Sequence, residues 1–226
     1  MSDQSRIKFE GAPPLEDRRL STDVYAVILR AIHNRQLRPG DRIIETEIAT
    51  HLGVSRSPVR EAFAQLTNQG LLRHVPRRGS YVATLEEEDI SNLRDCRQLI
   101  EGFAARSLAQ RQSPEVMEKL ESLIGQMIDS ANKRNWIQTV YINSQFHETV
   151  VEASGNSLLL RMWATVDPLA WLVAAIKPPG EEHDPDDLER RHRNLVDALK
   201  SGDPDRAEQA FREHVAESLV PVRHID

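Results

Sequence analysis

Two short stretches with the apolar spacing of an amphipathic helix meet at one glycine early in the chain. Residues 45–52 carry apolar side chains that can share a helical face, and residues 56–69 do the same over a longer stretch. Gly53 lies between them, where a residue without a side chain ends the first helix and allows a sharp turn. Two short helices joined by such a turn predict a helix-turn-helix unit.

The segments on either side extend this unit to a winged helix. Residues 24–32 carry an apolar stripe that predicts a further helix starting near Ser21. After the unit, residues 71–75 and 80–83 are β-prone and are joined by the basic sequence Pro-Arg-Arg-Gly, which predicts a hairpin with a basic tip. The predicted winged-helix domain covers residues 21–84.

The rest of the chain, residues 85–226, has a helical pattern throughout. Four acidic residues at 86–89 favour a helix N-terminus, and Pro168 is predicted to kink or divide the apolar helix that runs to Ile176. Further helices are predicted to start near Pro114, Trp136, Asp186 and Asp205. The expected fold is mainly α: an N-terminal winged helix-turn-helix and a C-terminal all-α antiparallel helical bundle. Residues 1–20 are polar and are predicted to form a flexible arm.

Charge divides the chain in the same way. Residues 1–84 hold 13 Lys and Arg against 9 Asp and Glu, a net +4, whereas residues 85–226 hold 16 against 26, a net −10. This difference is typical of a nucleic-acid-binding domain beside a non-binding one, although chance scatter of surface charge would also produce it.

Cysteine content and hydropathy indicate the compartment. The single Cys96 cannot form an intrachain disulfide, so the sequence is not that of a disulfide-stapled secreted domain. The N-terminus lacks a signal-peptide core, and no apolar run approaches the roughly 20 residues of a membrane helix. We therefore expect a cytoplasmic protein with no membrane segment.

The second helix of the helix-turn-helix carries the residues suited to reading DNA. Arg56 and Arg60 are four residues apart and share a face, as bidentate contacts to guanine require, each contributing roughly 1 to 3 kcal/mol of discrimination. Either Ser55 or Ser57 can cap this helix, and both hydroxyls suit phosphates. The alternative is that the two arginines are an ordinary solvated helix face.

This region resembles the winged-helix domain of the GntR family of bacterial transcription regulators. The resemblance covers residues 25–82. Its motifs lie at 37–40, 54–62, 69–72 and 78–82. It implies that Thr46 contacts DNA. The basic wing tip, Arg77 and Arg78 with Gly79, suits phosphates by its charge and its place in the hairpin.

Three histidines of the second region lie on three separate predicted helices. His147, His192 and His214 each fall within an amphipathic pattern, so facing helices could bring them together as a site for Zn, Ni, Cu or Fe. The alternative from the residues alone is three separate, hydrogen-bonded, half-buried histidines.

The same region resembles the helical effector-binding and dimerisation domain, FCD, of the FadR-type branch of GntR. The motifs are 97–101, 143–147, 153–156, 191–192 and 198–203, followed by His214. Many members of this branch hold a divalent metal with three histidines and an aspartate four residues before the first one. Here that position is Asn143, whose neutral amide is a weaker ligand.

Two interpretations of these residues therefore remain possible. One is a divalent metal, Zn, Ni or Mn, held by Asn143, His147, His192 and His214. The other is a metal-free pocket in which the same residues bind an effector directly. Arg97 resembles an effector-binding arginine of the family that would pair with a carboxylate, or it pairs with Glu101 on its own helix.

Enzyme classes find little support. His147-Glu148 lacks the second histidine of a zinc protease because residue 151 is valine, and no P-loop, dinucleotide fingerprint or nucleophile elbow occurs. A helical metal-dependent hydrolase using the three histidines would leave the winged helix unexplained. The sequence predicts a homodimeric repressor of a catabolic or transport operon that binds a palindromic operator and responds to a small organic acid.

Overall fold

A computed structural model describes residues 15–33, 36–176 and 184–219. Its N-terminal elements are α1 (Leu15–His33), β1 (Arg42–Ile43), α2 (Glu45–Leu52), α3 (Arg56–Asn68), β2 (Leu72–Val75) and β3 (Gly79–Val82). The predicted winged helix-turn-helix is confirmed. The buried side chains of α1 and α3, Val24, Ile28, Ile32, Val59, Phe63 and Leu66, pack against Leu71, Leu72 and Val82.

The wing contains a strand that the sequence did not predict. The short β1 pairs antiparallel with β3, with Arg42 opposite Tyr81 and Ile43 opposite Ser80, and β3 also pairs with β2. A two-residue strand has too little alternation to be recognised in a sequence. It matters because it carries Arg42 to the wing.

Helix α1 begins before the predicted start at Ser21. The structure places its first residue at Leu15, so residues 15–20 are helical rather than part of a flexible arm. The predicted arm over residues 1–14 lies outside the described residues.

The predicted helical bundle is confirmed as well. It comprises α4 (Glu87–Arg111), α5 (Pro114–Asn132), α6 (Trp136–Ala153), α7 (Ser157–Ile176), α8 (Pro185–Lys200) and α9 (Pro204–Ser218). Helix α4 packs most extensively against α9, and α5 packs against α6 and α8. A large apolar core, which includes Leu120, Met127, Phe146 and Phe211, lies between these helices.

Helix α7 bears on two expectations. It continues through Pro168, so of the two predicted outcomes, a kink or a division, the division does not occur. By length and composition it is also apolar enough to cross a membrane, over Ser157–Ala174, so the expectation that no such segment exists was wrong. Its Trp163, Leu172 and Val173 are nevertheless buried against the rest of the chain, and Asp167 interrupts its apolar sequence. Of that window 28% is buried, so α7 contributes these residues to the core and leaves most of the others at least partly exposed.

Helix α7 also joins the two regions. Leu172 is fully buried in the apolar cluster of the winged helix, and the side chain of Leu169 lies 3.2 Å from the position that a Cβ on Gly70 would occupy. Trp163, two turns earlier, belongs to the main core of the bundle. A displacement of α7 therefore changes the packing of both cores.

Candidate functional site

Helix α3 presents its N-terminal residues to solvent. Ser55, Arg56, Ser57 and Arg60 are exposed, while the opposite face of the helix is buried. Ser55 is the N-cap residue and the helix starts at Arg56, although the Ser55 side chain accepts no capping hydrogen bond. Both arginines thus lie on the first turns of an outward-facing helix, as a major-groove helix requires.

A carboxylate on α2 lies near Arg60. The Nε atom of Arg60 is 3.6 Å from Oε2 of Glu45, and the Arg60 side chain is 68% exposed. Such an exposed ion pair is weak, so it can orient the guanidinium without preventing another partner from binding it. Thr46, the next residue along α2, is also exposed.

The short strand β1 places a further arginine, Arg42, beside the wing tip. Arg77 and Arg78 are exposed in the turn between β2 and β3. The guanidinium of Arg42 lies 3.5 Å from the position that a Cβ on Gly79 would occupy. Sequence reasoning missed Arg42 because only the pairing of β1 with β3 brings it beside a glycine far along the chain.

The three histidines of the bundle come together. His147 on α6, His192 on α8 and His214 on α9 are buried, and each offers a ring nitrogen such that these atoms lie within 4.8 Å of one another. The His192 and His214 rings are 4.9 Å apart between centroids, and those of His147 and His214 are 5.2 Å apart. Three imidazoles at this spacing can bind one cation.

The tautomer of His192 follows from its backbone contact. Its Nδ1 lies 2.8 Å from the carbonyl oxygen of Leu188, which can only accept, so Nδ1 carries the proton. Its Nε2 lies 2.8 Å from Oδ1 of Asn143. In a neutral ring these two atoms are both acceptors. The contact requires a cation between them, a proton on Nε2, or an amide rotated to present its NH₂ group.

A buried carboxylate contacts His147. Its Nδ1 lies 2.5 Å from Oε2 of Glu101, although the two groups are not aligned as a hydrogen bond and neither atom has a hydrogen-bond partner among the described residues. Burial raises the pKa of Glu101, but the charges of Arg97 and His147 outweigh it, so the pKa is lowered and the carboxylate stays ionised. Carboxylates placed behind a histidine in this way set the tautomer of metal ligands.

Arg97 forms the pair within its own helix. Its Nε donates to Oε1 of Glu101 at 2.7 Å, and its guanidinium lies 4.6 Å from the ring centroid of Trp163. Arg97 also lines the cavity next to the histidines. The pairing of Arg97 with Glu101 is therefore present, and its contact with an effector carboxylate stays a prediction.

A cavity of about 100 Å³ opens beside His192 and His214. Helices α4 and α6 to α9 enclose it, and its polar lining residues include Arg97, Asn143, Ser144, Asp167, Arg191 and His214. Burial, followed by the charges of His192 and His147, holds the pKa of His214 well below its usual value, so this ring is neutral and available as a ligand.

Sequence reasoning missed two charged residues of this cavity. Asp167 accepts a hydrogen bond from the Ser144 hydroxyl at 2.5 Å, and its burial raises its pKa. A lone acid within the apolar sequence of α7 was the available signal. Arg191 lies in the 191–192 motif of the FCD resemblance, yet that motif gave it no binding role, and its local pattern resembles that of the exposed Arg190.

Comparison with known proteins agrees with both regions. Residues 20–82 match the family described as bacterial regulatory proteins, gntR family, and residues 92–217 match the FCD domain. The chain is 32% identical to a probable D-xylose utilization operon transcriptional repressor of Paenarthrobacter nicotinovorans, over 91% of this chain and 89% of that protein. It is 28% identical to the HTH-type transcriptional repressor RspR of Escherichia coli strain K12, over 91% and 90%.

Solved structures share the fold. A putative GntR regulator from Rhodococcus sp. RHA1 has a TM-score of 0.74 and 24% identity, covering 90% of this chain and 99% of that one. The E. coli protein McbR/YncC has a TM-score of 0.73 and 21% identity, covering 88% and 94%. The order of a winged helix before a helical bundle is thus common to these molecules.

Proposed function

The chain belongs to the gntR family of bacterial regulatory proteins and carries an FCD domain, and on this basis we propose that it is a cytoplasmic, homodimeric repressor released from its operator by a small organic acid. Its family and relatives are transcription regulators, so the three histidines serve a regulator rather than a hydrolase. The observation that carries the proposal is the outward face of α3, with Arg56 and Arg60 exposed above a buried apolar face.

In this proposal α3 enters the major groove. Arg56 and Arg60 contact guanine edges, and the hydroxyls of Ser55 and Ser57 bind phosphates at the helix N-terminus. Further phosphate contacts come from α2 and the wing, through Thr46, Arg77, Arg78 and Gly79, with Arg42 beside them. Phosphate contacts fix the position of the domain, and the two arginines of α3 select the sequence.

Assembly is proposed to be a two-fold dimer. One winged helix makes too few contacts for tight specific binding, and two of them reach successive major grooves about 34 to 36 Å apart on a palindromic site. The bundle exposes large apolar side chains on α4, Leu99 and Phe103, and on α7, Leu158 and Met162. Within each helix the two residues are four apart and share a face, so we assign these faces to contact with a second copy.

The donor set of the histidine cluster fits a divalent ion. His147, His192, His214 and the Asn143 amide oxygen would hold Zn, Ni or Mn, because the proton on Nδ1 of His192 leaves its Nε2 lone pair facing Oδ1 of Asn143. A bound ion would supply open positions to the carboxylate of an effector. The metal-free alternative has the same residues hydrogen-bonding the effector directly.

Helix α7 supplies a route from the cavity to the winged helix. Asp167 and Trp171 line the cavity, whereas Leu172 lies in the core of the winged helix and Leu169 lies against Gly70. An effector that moves α7 shifts the winged helix on the bundle and changes the spacing of the two recognition helices in the dimer. The effector cavity and the winged helix are then coupled through one rigid helix, and this coupling releases the DNA.

Selection of an operator tests the proposal. The full-length protein is incubated with a random duplex library, and bound sequences are enriched and footprinted. We expect two inverted half-sites separated by one helical turn, protected without effector and released by an organic acid. Enrichment of no sequence, or protection of a single half-site, would contradict it.

A further inference from the structure

We infer that Glu45 on α2 reads DNA together with Arg60 on α3, so that the two side chains recognise one G·C pair as a unit. This deepens the proposed function and rests on it, because α3 must enter the major groove for Arg60 to reach a base. Sequence selection then extends from one helix of the helix-turn-helix to both.

The contact between the two side chains is made on the Nε side of the guanidinium. Oε2 of Glu45 lies 3.6 Å from Nε of Arg60. A contact on this side leaves the terminal edge, Nη1 and Nη2, for bidentate donation to O6 and N7 of guanine. Because Arg60 is largely exposed, this edge is open to a ligand. The contact also limits the freedom of a long side chain before DNA arrives, which lowers the entropic cost of binding.

Glu45 keeps acceptor capacity for a base. Its side chain is 30% exposed, and a carboxylate offers about four lone-pair sites, of which the contact with Arg60 takes one. In the major groove the N4 amino group of cytosine is a donor that lies beside O6 of its paired guanine, and carboxylates accept from it. A donor side chain and an acceptor side chain 3.6 Å apart therefore match the acceptor and donor groups along the edge of one G·C pair.

The charge of Glu45 lies within the surface proposed to face DNA. Glu45 is the first residue of α2, directly before the exposed Thr46, and its carboxylate contacts Arg60. A negative charge there repels the phosphates of every duplex and weakens non-specific binding. It also repels a base that presents an acceptor at this position, such as thymine with its O4. Glu45 therefore raises selectivity by rejecting other pairs as well as by accepting from cytosine.

A second acid in the same turn provides a matched control. Negative charge in the first turn stabilises a helix, and this is the structural role that Glu45 would otherwise have. Glu47 also lies in the first turn of α2 and is exposed, so it shares that role. It forms no ion pair with α3 in the described part of the chain. The two acids thus differ in the contact with Arg60.

The test measures base selectivity with the full-length protein and the operator that it enriches. Arg60→Ala first identifies the G·C pair in each half-site at which discrimination is lost. Glu45→Gln and Glu45→Ala are then titrated by fluorescence anisotropy against the operator, duplexes with that pair replaced, and a scrambled duplex. Both should lower discrimination at that pair about 5-fold or more, as expected for one good base contact. Affinity for the scrambled duplex should rise about 2-fold because a repelling charge is lost.

A modified base isolates the contact to cytosine. N4-methylcytosine keeps its Watson–Crick pairing but carries a methyl group in place of the groove-facing N4 hydrogen. At the identified pair it should weaken binding by wild type about 5-fold or more and have much less effect on Glu45→Ala. Glu47→Gln should respond to this base and to base replacement like wild type, while binding the scrambled duplex about 2-fold more tightly.

Coupling between the two residues is measured by a double-mutant cycle. Arg60→Ala should lose less discrimination in the Glu45→Gln background than in wild type, because the two side chains act as a unit. Three results would overturn the inference: wild-type discrimination in both Glu45 variants, additive losses in the cycle, or equal effects of N4-methylcytosine on wild type and Glu45→Ala. Enrichment of no operator by wild type, or unchanged discrimination in Arg60→Ala, would instead count against the proposed function.

Discussion

The Nε2 atom of His192 lies 2.8 Å from Oδ1 of Asn143, and the proton on Nδ1 leaves both of these atoms as acceptors. Two acceptors at hydrogen-bond distance repel unless a positive charge or a proton lies between them. A divalent ion bound by the histidine cluster provides such a charge. A proton on Nε2 or an amide rotated to present its NH₂ group would also resolve the contact, and metal titration distinguishes these from a bound ion.

The first prediction concerns metal affinity. Asn143→Asp should bind Zn²⁺, Ni²⁺ or Mn²⁺ more tightly than wild type, because it adds a negative charge and a better oxygen donor. His147→Ala, His192→Ala and His214→Ala should each lower occupancy sharply. Calorimetric titration of chelator-treated protein and elemental analysis measure both effects, with the exposed Asn132→Asp as a control. A wild type that stays metal-free after reloading would end the metal proposal.

The second prediction concerns pH. Burial holds the pKa of His214 below its value in the unfolded chain, so below about pH 6.5 the unfolded state binds the proton first. The stability that a neutral His214 contributes is therefore present above that pH and is lost as the pH falls toward the folded-state pKa. Denaturant unfolding of metal-free protein should show a smaller free energy of unfolding at pH 5 than at pH 7.

Substitution isolates the histidine responsible. His214→Gln should flatten this pH dependence, whereas the exposed His51→Gln should leave it as in wild type. An unchanged pH dependence in His214→Gln would show that other groups cause it.

The third prediction concerns assembly. Phe103→Glu or Leu99→Glu places a charge on an exposed apolar face of α4. Light scattering should then report a monomer, and operator affinity should fall because one winged helix binds alone. Ser122→Glu, on the exposed face of α5, should stay dimeric. If both α4 variants remain dimeric, the interface is formed by other residues of the chain.

The fourth prediction concerns the link between the two regions. Leu172→Ala leaves a cavity in the winged-helix core and should cost about 2 to 5 kcal/mol of unfolding free energy. The effector should also release less operator from this variant, because α7 no longer packs tightly against the winged helix. Leu20→Ala, at an exposed position on α1, should change the stability by much less. Equal losses from the two substitutions would argue against a role for Leu172.

Much of the fold could be predicted because each element has a local signal. Gly53, with φ of 66°, ends α2 in the left-handed conformation that glycine favours, and prolines at the starts of α5, α8 and α9 mark those helices. The three histidines were also found from pattern, since each lies within the amphipathic pattern of its own helix. Local periodicity specifies which face of a helix is buried.

Contacts between distant segments had no such signal. Helix α7 is apolar on several faces, so periodicity does not reveal that Leu172 enters the winged helix while Trp163 enters the bundle. The same holds for Arg191, whose unmet Nε–H depends on how α8 packs on α9. These features arise from tertiary packing rather than from any local pattern.

The most direct test of the account is the specificity of α3 for the selected operator. Affinity for the operator and for a scrambled duplex is measured by fluorescence anisotropy at several salt concentrations, for wild type, Arg56→Ala, Arg60→Ala and Arg77→Ala. Arg56→Ala and Arg60→Ala should each lose roughly 1 to 3 kcal/mol of discrimination. Arg77→Ala should weaken both duplexes alike and reduce the salt slope by about 1. A wild-type ratio of operator to scrambled affinity in both α3 variants would contradict the assignment of α3 as the helix that reads DNA.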